Sequence, residues 1–127
     1  MMGTKKRVIL IGLNPEVVDY SNWPDLTPEK LMAALKVDEE TLNSLGYDTQ
    51  LCLVDLGETA ETVVTQKLTR IAFDCVMIGA GVRTVPDTFL LFEKLINIVH
   101  KHAPAAMICF NTKPSDSAEA VQRWVQP

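Results

Sequence analysis

The segment Gly79-Ala80-Gly81-Val82-Arg83-Thr84 places two glycines, a guanidinium and a hydroxyl within six residues. Glycine lets a backbone approach a ligand closely, and arginine offers a planar fork of donors to an anion. The free N–H groups at the start of a following helix favour the same charge. Asn111, Thr112 and Lys113 add an amide, a hydroxyl and an ammonium in consecutive positions, and Gly12, Asn14 and Glu16 form a third small polar set. These residues together read as a binding crevice for a small anionic ligand. The contacts expected are from Arg83, Asn111, Thr112 and Lys113, with Asn14, Gly79, Gly81 and Thr84 around them.

Other chemistry finds little support in the residues. Gly79-Ala-Gly-Val-Arg-Thr84 is not a dinucleotide fingerprint, because the third glycine is replaced by Thr84 and the segment follows the third strand, not the first. There is no phosphate-binding G-x-x-x-x-G-K-S/T segment and no serine in G-x-S-x-G. His100 and His102 are two apart near a predicted helix end, where side chains at that spacing face different ways, so no metal pair is implied. Asp55 and Glu58 could form a carboxylate pair, but an acidic turn before a helix caps it more readily. No motif specifies a cofactor.

The elements that must carry these residues follow from the apolar pattern. At 127 residues the chain has room for one core, and 47% hydrophobic with 22% charged residues is the balance of a globular protein. A net charge of −4 argues against a nucleic-acid partner, which needs clustered lysine and arginine. Val8 to Leu13 after the basic Lys5-Lys6-Arg7 is too short for an export signal, and no apolar run reaches the roughly 20 residues of a membrane span. Cys52, Cys75 and Cys109 each fall inside an apolar run, which fits buried thiols in a reducing cytoplasm.

Four runs read as strands: Arg7 to Leu13, Thr49 to Leu56, Cys75 to Ala80 and Ala106 to Phe110. Their continuous apolar character suits strands covered on both faces, hence parallel pairing. A helix is predicted from Thr27-Pro28-Glu29 to Gly46, with Leu31, Leu35, Leu42 and Leu45 inward and a break at Asp38. A second starts near Thr59 and uses Val63, Val64, Leu68 and Ile71, a third spans 86–102, and a fourth opens at Asp116 with Glu119 in a capping box. The fourth buries Val121, Trp124 and Val125. Right-handed crossovers then put helices on both faces, giving a single three-layer α/β/α sandwich over 1–127 with strand order 2-1-3-4. The irregular stretch Asn14 to Leu26, with Tyr20 and Trp23, is either a lid or a loop packed down by its aromatics.

Phe73-Asp74-Cys75-Val76-Met77-Ile78 resembles the third-strand entry of flavodoxin-like (Rossmann-like) domains and bacterial receiver domains, and Thr112-Lys113-Pro114 is similar to residues that receivers place at strand ends. The resemblance implies the doubly wound fold. It does not bring phosphorylation, because Gly79 stands where receivers carry the aspartate phosphoacceptor, and Gly12 to Asn14 replace the acidic pair after the first strand. The chain is also similar to small uncharacterised bacterial α/β proteins, which implies no activity.

Ligands of open parallel sheets sit at the carboxyl ends of the strands where chain order reverses, here between strands one and three. The expectation is therefore a noncatalytic or regulatory domain binding a small anion or a protein partner there. The alternative is a small enzyme acting on a nucleotide or phosphorylated metabolite with Glu16 or Asp19 as acid/base. Phe89, Leu91, Phe92, Leu95, Ile96, Ile98 and Val99 cover about half of the third helix, more than the usual stripe of roughly 100°. A homodimer through helix 86–102 would bury Leu91 and Leu95; a helix wedged in its own core would do the same.

Overall fold

The computed structural model describes residues 4–127. Four strands, β1 (Arg7–Leu13), β2 (Asp48–Val54), β3 (Cys75–Ile78) and β4 (Met107–Phe110), form one all-parallel sheet in the order β2-β1-β3-β4. In register, Leu10 stands beside Leu51 and Met77, and Met77 beside Cys109. Successive side chains of a strand point to opposite faces. Ile9, Ile11 and Leu13 therefore enter one core with Val64, Leu68, Leu95 and Val99, while Val8 and Leu10 enter the other with Leu42, Tyr47 and Val121. This is the expected three-layer sandwich.

Helix α1 (Pro28–Ser44) begins where Thr27 Oγ1 accepts the Lys30 N–H at 3.2 Å and Pro28 takes the first turn. It runs unbroken through Asp38, contrary to the expected interruption, because the carboxyl turns inward and finds a hydroxyl partner. The helix stops before Gly46, whose φ of +107° favours glycine. Leu45 lies past the last helical residue and is exposed, not inward. Asn43 and Glu39 of α1 reach back over the open edge of β2, accepting the N–H groups of Thr49 at 2.8 Å and Leu51 at 3.1 Å. They satisfy donors that an edge strand would otherwise offer to another chain.

β2 ends at Val54, two residues short of the expected Leu56, because the next carboxylate starts the following helix. Asp55 accepts the N–H groups of Gly57, Thr59 and Ala60 and the Thr59 hydroxyl, and α2 (Ala60–Arg70) begins on that cap. β3 likewise ends at Ile78, not Ala80, and Gly79 leads into a helical turn, α3 (Ala80–Arg83). A 3-10 turn (Pro86–Thr88) precedes α4 (Phe89–His102), so the segment expected as one helix from Pro86 is two.

The inner side of α4 answers the question its apolar width raised. Leu91, Leu95, Ile98 and Val99 are buried within this chain, against α2, α3 and the sheet. The dimer contact expected through Leu91 and Leu95 is corrected accordingly: those side chains have no free face to give a second subunit. Of the apolar residues of α4, Phe89 and Leu90 at its start are exposed, and Phe92 and Ile96 are half-buried.

After β4, a 3-10 turn (Pro114–Asp116) leads into α5 (Ser117–Gln122). Val121 and Val125 are buried, but Trp124 is exposed, the reverse of its expected place. Asp116 does not cap α5; its carboxylate accepts the N–H groups of Thr112 and Lys113 and the Thr112 hydroxyl. Among the described residues, no helix is long and apolar enough to cross a membrane.

Candidate functional site

From β1 the chain moves outward to β2 and then crosses back past β1 to β3, so the carboxyl ends of β1 and β3 frame the point where strand order reverses. A cleft of about 470 Å³ lies there. α1 builds one wall with Leu31, Ala34 and Leu35, which explains why the first and last of these leucines are only half-buried. The connection from β1 builds a second wall with Val18, Trp23 and Leu26. That connection is more ordered than the sequence suggests. It carries 3-10 turns at Pro15–Val17 and Tyr20–Asn22, and the Tyr20 hydroxyl donates to the Pro15 carbonyl at 2.6 Å.

The floor is glycine. Gly12, within β1, and Gly81, within α3, both line the cleft, and a Cβ added at either would meet nothing within 4 Å. Neither has a positive φ, so neither backbone conformation requires glycine. Gly79 is different: its N–H donates to the Ile11 carbonyl at 2.9 Å, and a Cβ there would sit 3.4 Å from that oxygen.

The polar rim comes from the ends of β3 and β4. Asn111 is buried, and its Oδ1 accepts the Ala80 N–H at 2.8 Å while its Nδ2 donates to Ser117 Oγ at 2.9 Å. Since an N–H must be met by oxygen, these two bonds fix the orientation of the amide. The first N–H of α3 is therefore already satisfied. Thr84 Oγ1 donates to the Ala80 carbonyl and Thr112 is held by Asp116, and among the described residues Lys113 is the one charged residue lining the cleft, with Asp116 beside it.

Of the residues expected at the site, the structure gathers Gly79, Gly81, Thr84, Asn111, Thr112 and Lys113 around the cleft. It leaves out two. Asn14 turns into its own loop, where Oδ1 accepts the Glu16 N–H at 3.0 Å and its N–H donates to Val54 at 2.8 Å. Arg83 leaves the cleft altogether: its Nη2 donates to the Asn111 carbonyl and its guanidinium stacks 5.3 Å from the centre of the Phe110 ring. Phe110 in turn meets Phe92 edge to face at 5.8 Å, so Arg83 is a structural brace across the end of β4.

One buried group escaped the sequence reading. Asp38 is 8% exposed, faces inward from the middle of α1, and accepts the Ser117 hydroxyl on Oδ2 at 2.7 Å. Burial pushes its carboxyl above the ordinary carboxylate range; the Ser117 bond opposes the rise and the Asp116 charge adds to it. Asp38 and Asn111 are the two polar side chains lining a small chamber of about 20 Å³ between α1 and the sheet. Gly12, Leu35, Gly79 and Asn111 line both chamber and cleft, so the two adjoin. The signal was present in the sequence: Leu31, Leu35, Asp38 and Leu42 are spaced as one helix face, and Asp38 stands on the inward stripe.

The remaining candidates lie elsewhere. Glu16 and Asp19 are exposed and do not line the cleft; the Ser21 N–H bonded to Asp19 holds its carboxyl below the usual range. Cys75 and Cys109 meet in the core with sulfurs 3.5 Å apart, and the S–H bond shared with Cys109, together with burial, pushes the Cys75 thiol up. Among the described residues, no group of three metal-ligating side chains comes together. No family model matches the chain, and no curated protein matches it.

Proposed function

We propose that this protein is a noncatalytic binding domain whose cleft takes a small amphipathic anion, its apolar body against Leu31, Leu35 and Trp23 and its charge at Lys113. The observation that carries this reading is the pair of unforced glycines on the cleft floor. Glycine within a strand or helix costs roughly 0.5–1 kcal/mol relative to alanine, and nothing in the fold around Gly12 or Gly81 calls for it. An unforced glycine inside a strand is often a place where a ligand or another backbone approaches closely. The cleft volume of about 470 Å³ also falls in the range of small-molecule sites.

The charge count narrows the ligand. With Arg83 committed to Phe110 and Asn111, one cationic residue lines the cleft, which suits a carboxylate or a single phosphate group better than a polyphosphate. The enzyme alternative loses its named acid/base residues, since Glu16 and Asp19 stand outside the cleft. Binding is tested by thermal shift against alkyl and aryl carboxylates, sugar phosphates, flavins and nucleotides, because a ligand of the folded state raises apparent stability. Carboxylates should raise the melting temperature of the unaltered protein and not that of Gly12→Val. A shift that survives Gly12→Val would place the binding elsewhere and end the reading.

A further inference from the structure

Asp38 is tied to α5 through Ser117, but that bond uses only one of its oxygens and leaves the chamber beneath the cleft unfilled. A buried carboxylate is costly to keep, and hydrophobic side chains surround this one: Leu10, Leu35, Leu51 and Met77 line the same chamber. Ser117 occupies Oδ2, and among the described residues no protein donor meets Oδ1. Asn111 uses Oδ1 for Ala80 and one hydrogen of Nδ2 for Ser117, which leaves its second N–H unspent. The chamber is thus walled by one acceptor and one donor, both nine-tenths buried, and its volume of about 20 Å³ is the room that a single oxygen-sized group needs.

We infer that the chamber is a hydroxyl-recognition subsite, and that the ligand of the cleft is a hydroxylated organic acid whose O–H enters between Asp38 and Asn111 while its anionic end stays near Lys113. The inference rests on the cleft reading above. A hydroxyl is the group that fits both walls, because it donates to Asp38 and accepts from Asn111 through one atom. An ammonium would leave Asn111 unmatched and bring a second charge out of water, and a methyl group would leave both polar walls unpaired. Of the four residues at the boundary of chamber and cleft, Gly12 and Gly79 carry no side chain, and Leu35 and Asn111 form the rest of the border.

The test uses three matched series of acids graded in length from butanoate to octanoate: ω-hydroxyalkanoates, ω-fluoroalkanoates and the unsubstituted alkanoates. Binding to the full chain is followed by the NMR shifts of the Gly12, Gly79 and Gly81 amides. At one chain length the hydroxy acid should bind about tenfold tighter than both its fluoro counterpart and its parent, as an added hydrogen bond to a charged group allows. In Asp38→Asn, whose amide turns a donor toward the chamber once Ser117 holds the oxygen, that advantage should fall to within about twofold while the parent acids bind as before.

Equal affinity of hydroxy and fluoro acids at every length overturns the subsite, and this comparison on the unaltered protein decides the matter even if Asp38→Asn does not fold. So does a hydroxyl advantage that persists in Asp38→Asn. If the parent acids bind and lose their affinity in Gly12→Val without any hydroxyl preference, the cleft reading stands and the subsite alone falls. If no acid moves the three glycine amides at millimolar concentration, both fall together.

Discussion

Replacing Gly12 or Gly81 by alanine should make this protein more stable. Glycine loses more backbone freedom on folding than any other residue, so in a strand or helix alanine is better by roughly 0.5–1 kcal/mol, provided that its methyl group fits. At both positions it fits, since an added Cβ meets nothing within 4 Å and neither φ is positive. With about 2.1 cal/mol/K of unfolding entropy per residue, the 127-residue chain unfolds with roughly 0.27 kcal/mol/K, so each substitution should raise the melting temperature by about 2–4 °C. An added Cβ at either position meets no other residue within 4 Å, so the double variant should gain about the sum. Gly46→Ala supplies the contrast: its φ of +107° and a Cβ only 3.3 Å from Pro127 should cost roughly 1–2 kcal/mol and lower the midpoint. Urea titration and thermal unfolding followed by far-ultraviolet circular dichroism measure all four. If Gly12→Ala or Gly81→Ala lowers stability, the glycine serves the fold, and the reasoning that reserves it for a ligand is refuted.

Lys113→Ala should leave stability within about 0.5 kcal/mol while weakening carboxylate binding, whereas Arg83→Ala should cost about 2 kcal/mol through its lost contacts with Phe110 and the Asn111 carbonyl; calorimetric titration beside urea unfolding separates the two. Leu91→Ala should destabilise the fold by about 2–5 kcal/mol without changing the sedimentation mass, and a change of mass at unchanged stability would restore the dimer face to α4. Asp38 carries a folded pKa raised above its ordinary 3.8 by burial, so the native state holds its proton more tightly than the unfolded chain and stability declines as pH rises through that window. Asp38→Asn should remove that decline, its gain over the unaltered protein being largest above the raised pKa and shrinking below about pH 3.8; equal pH profiles for the two proteins would show that the carboxyl is not perturbed.

What the sequence revealed and what it hid divide along a physical line. The strands were legible because burial on both faces writes itself as an uninterrupted apolar run, as in Val8-Ile-Leu-Ile11 and Cys75-Val-Met-Ile78, and the expected order 2-1-3-4, with helices on both faces, is the one observed. The ends of those strands were less so. Asp55 and Gly79 leave the sheet in order to start helices, a decision made by carboxylate and backbone partners several residues away. Direction was hidden most of all. Periodicity says that α4 has a wide apolar surface but not whether α2 and α3 or another subunit covers it. For Arg83 and Lys113, two cations beside the same cleft, the neighbouring residues predict the same role. Only the Phe110 ring, brought over from β4, draws one of them away. Asp38 shows the converse, a carboxylate read as a helix breaker because its hydroxyl partner, Ser117, stands 79 residues on and cannot be seen from α1. The side chains whose direction is set by partners far along the chain, Arg83 by Phe110 and Asp38 by Ser117, are therefore the ones that local pattern hides, while the sheet beneath them is written in its apolar runs.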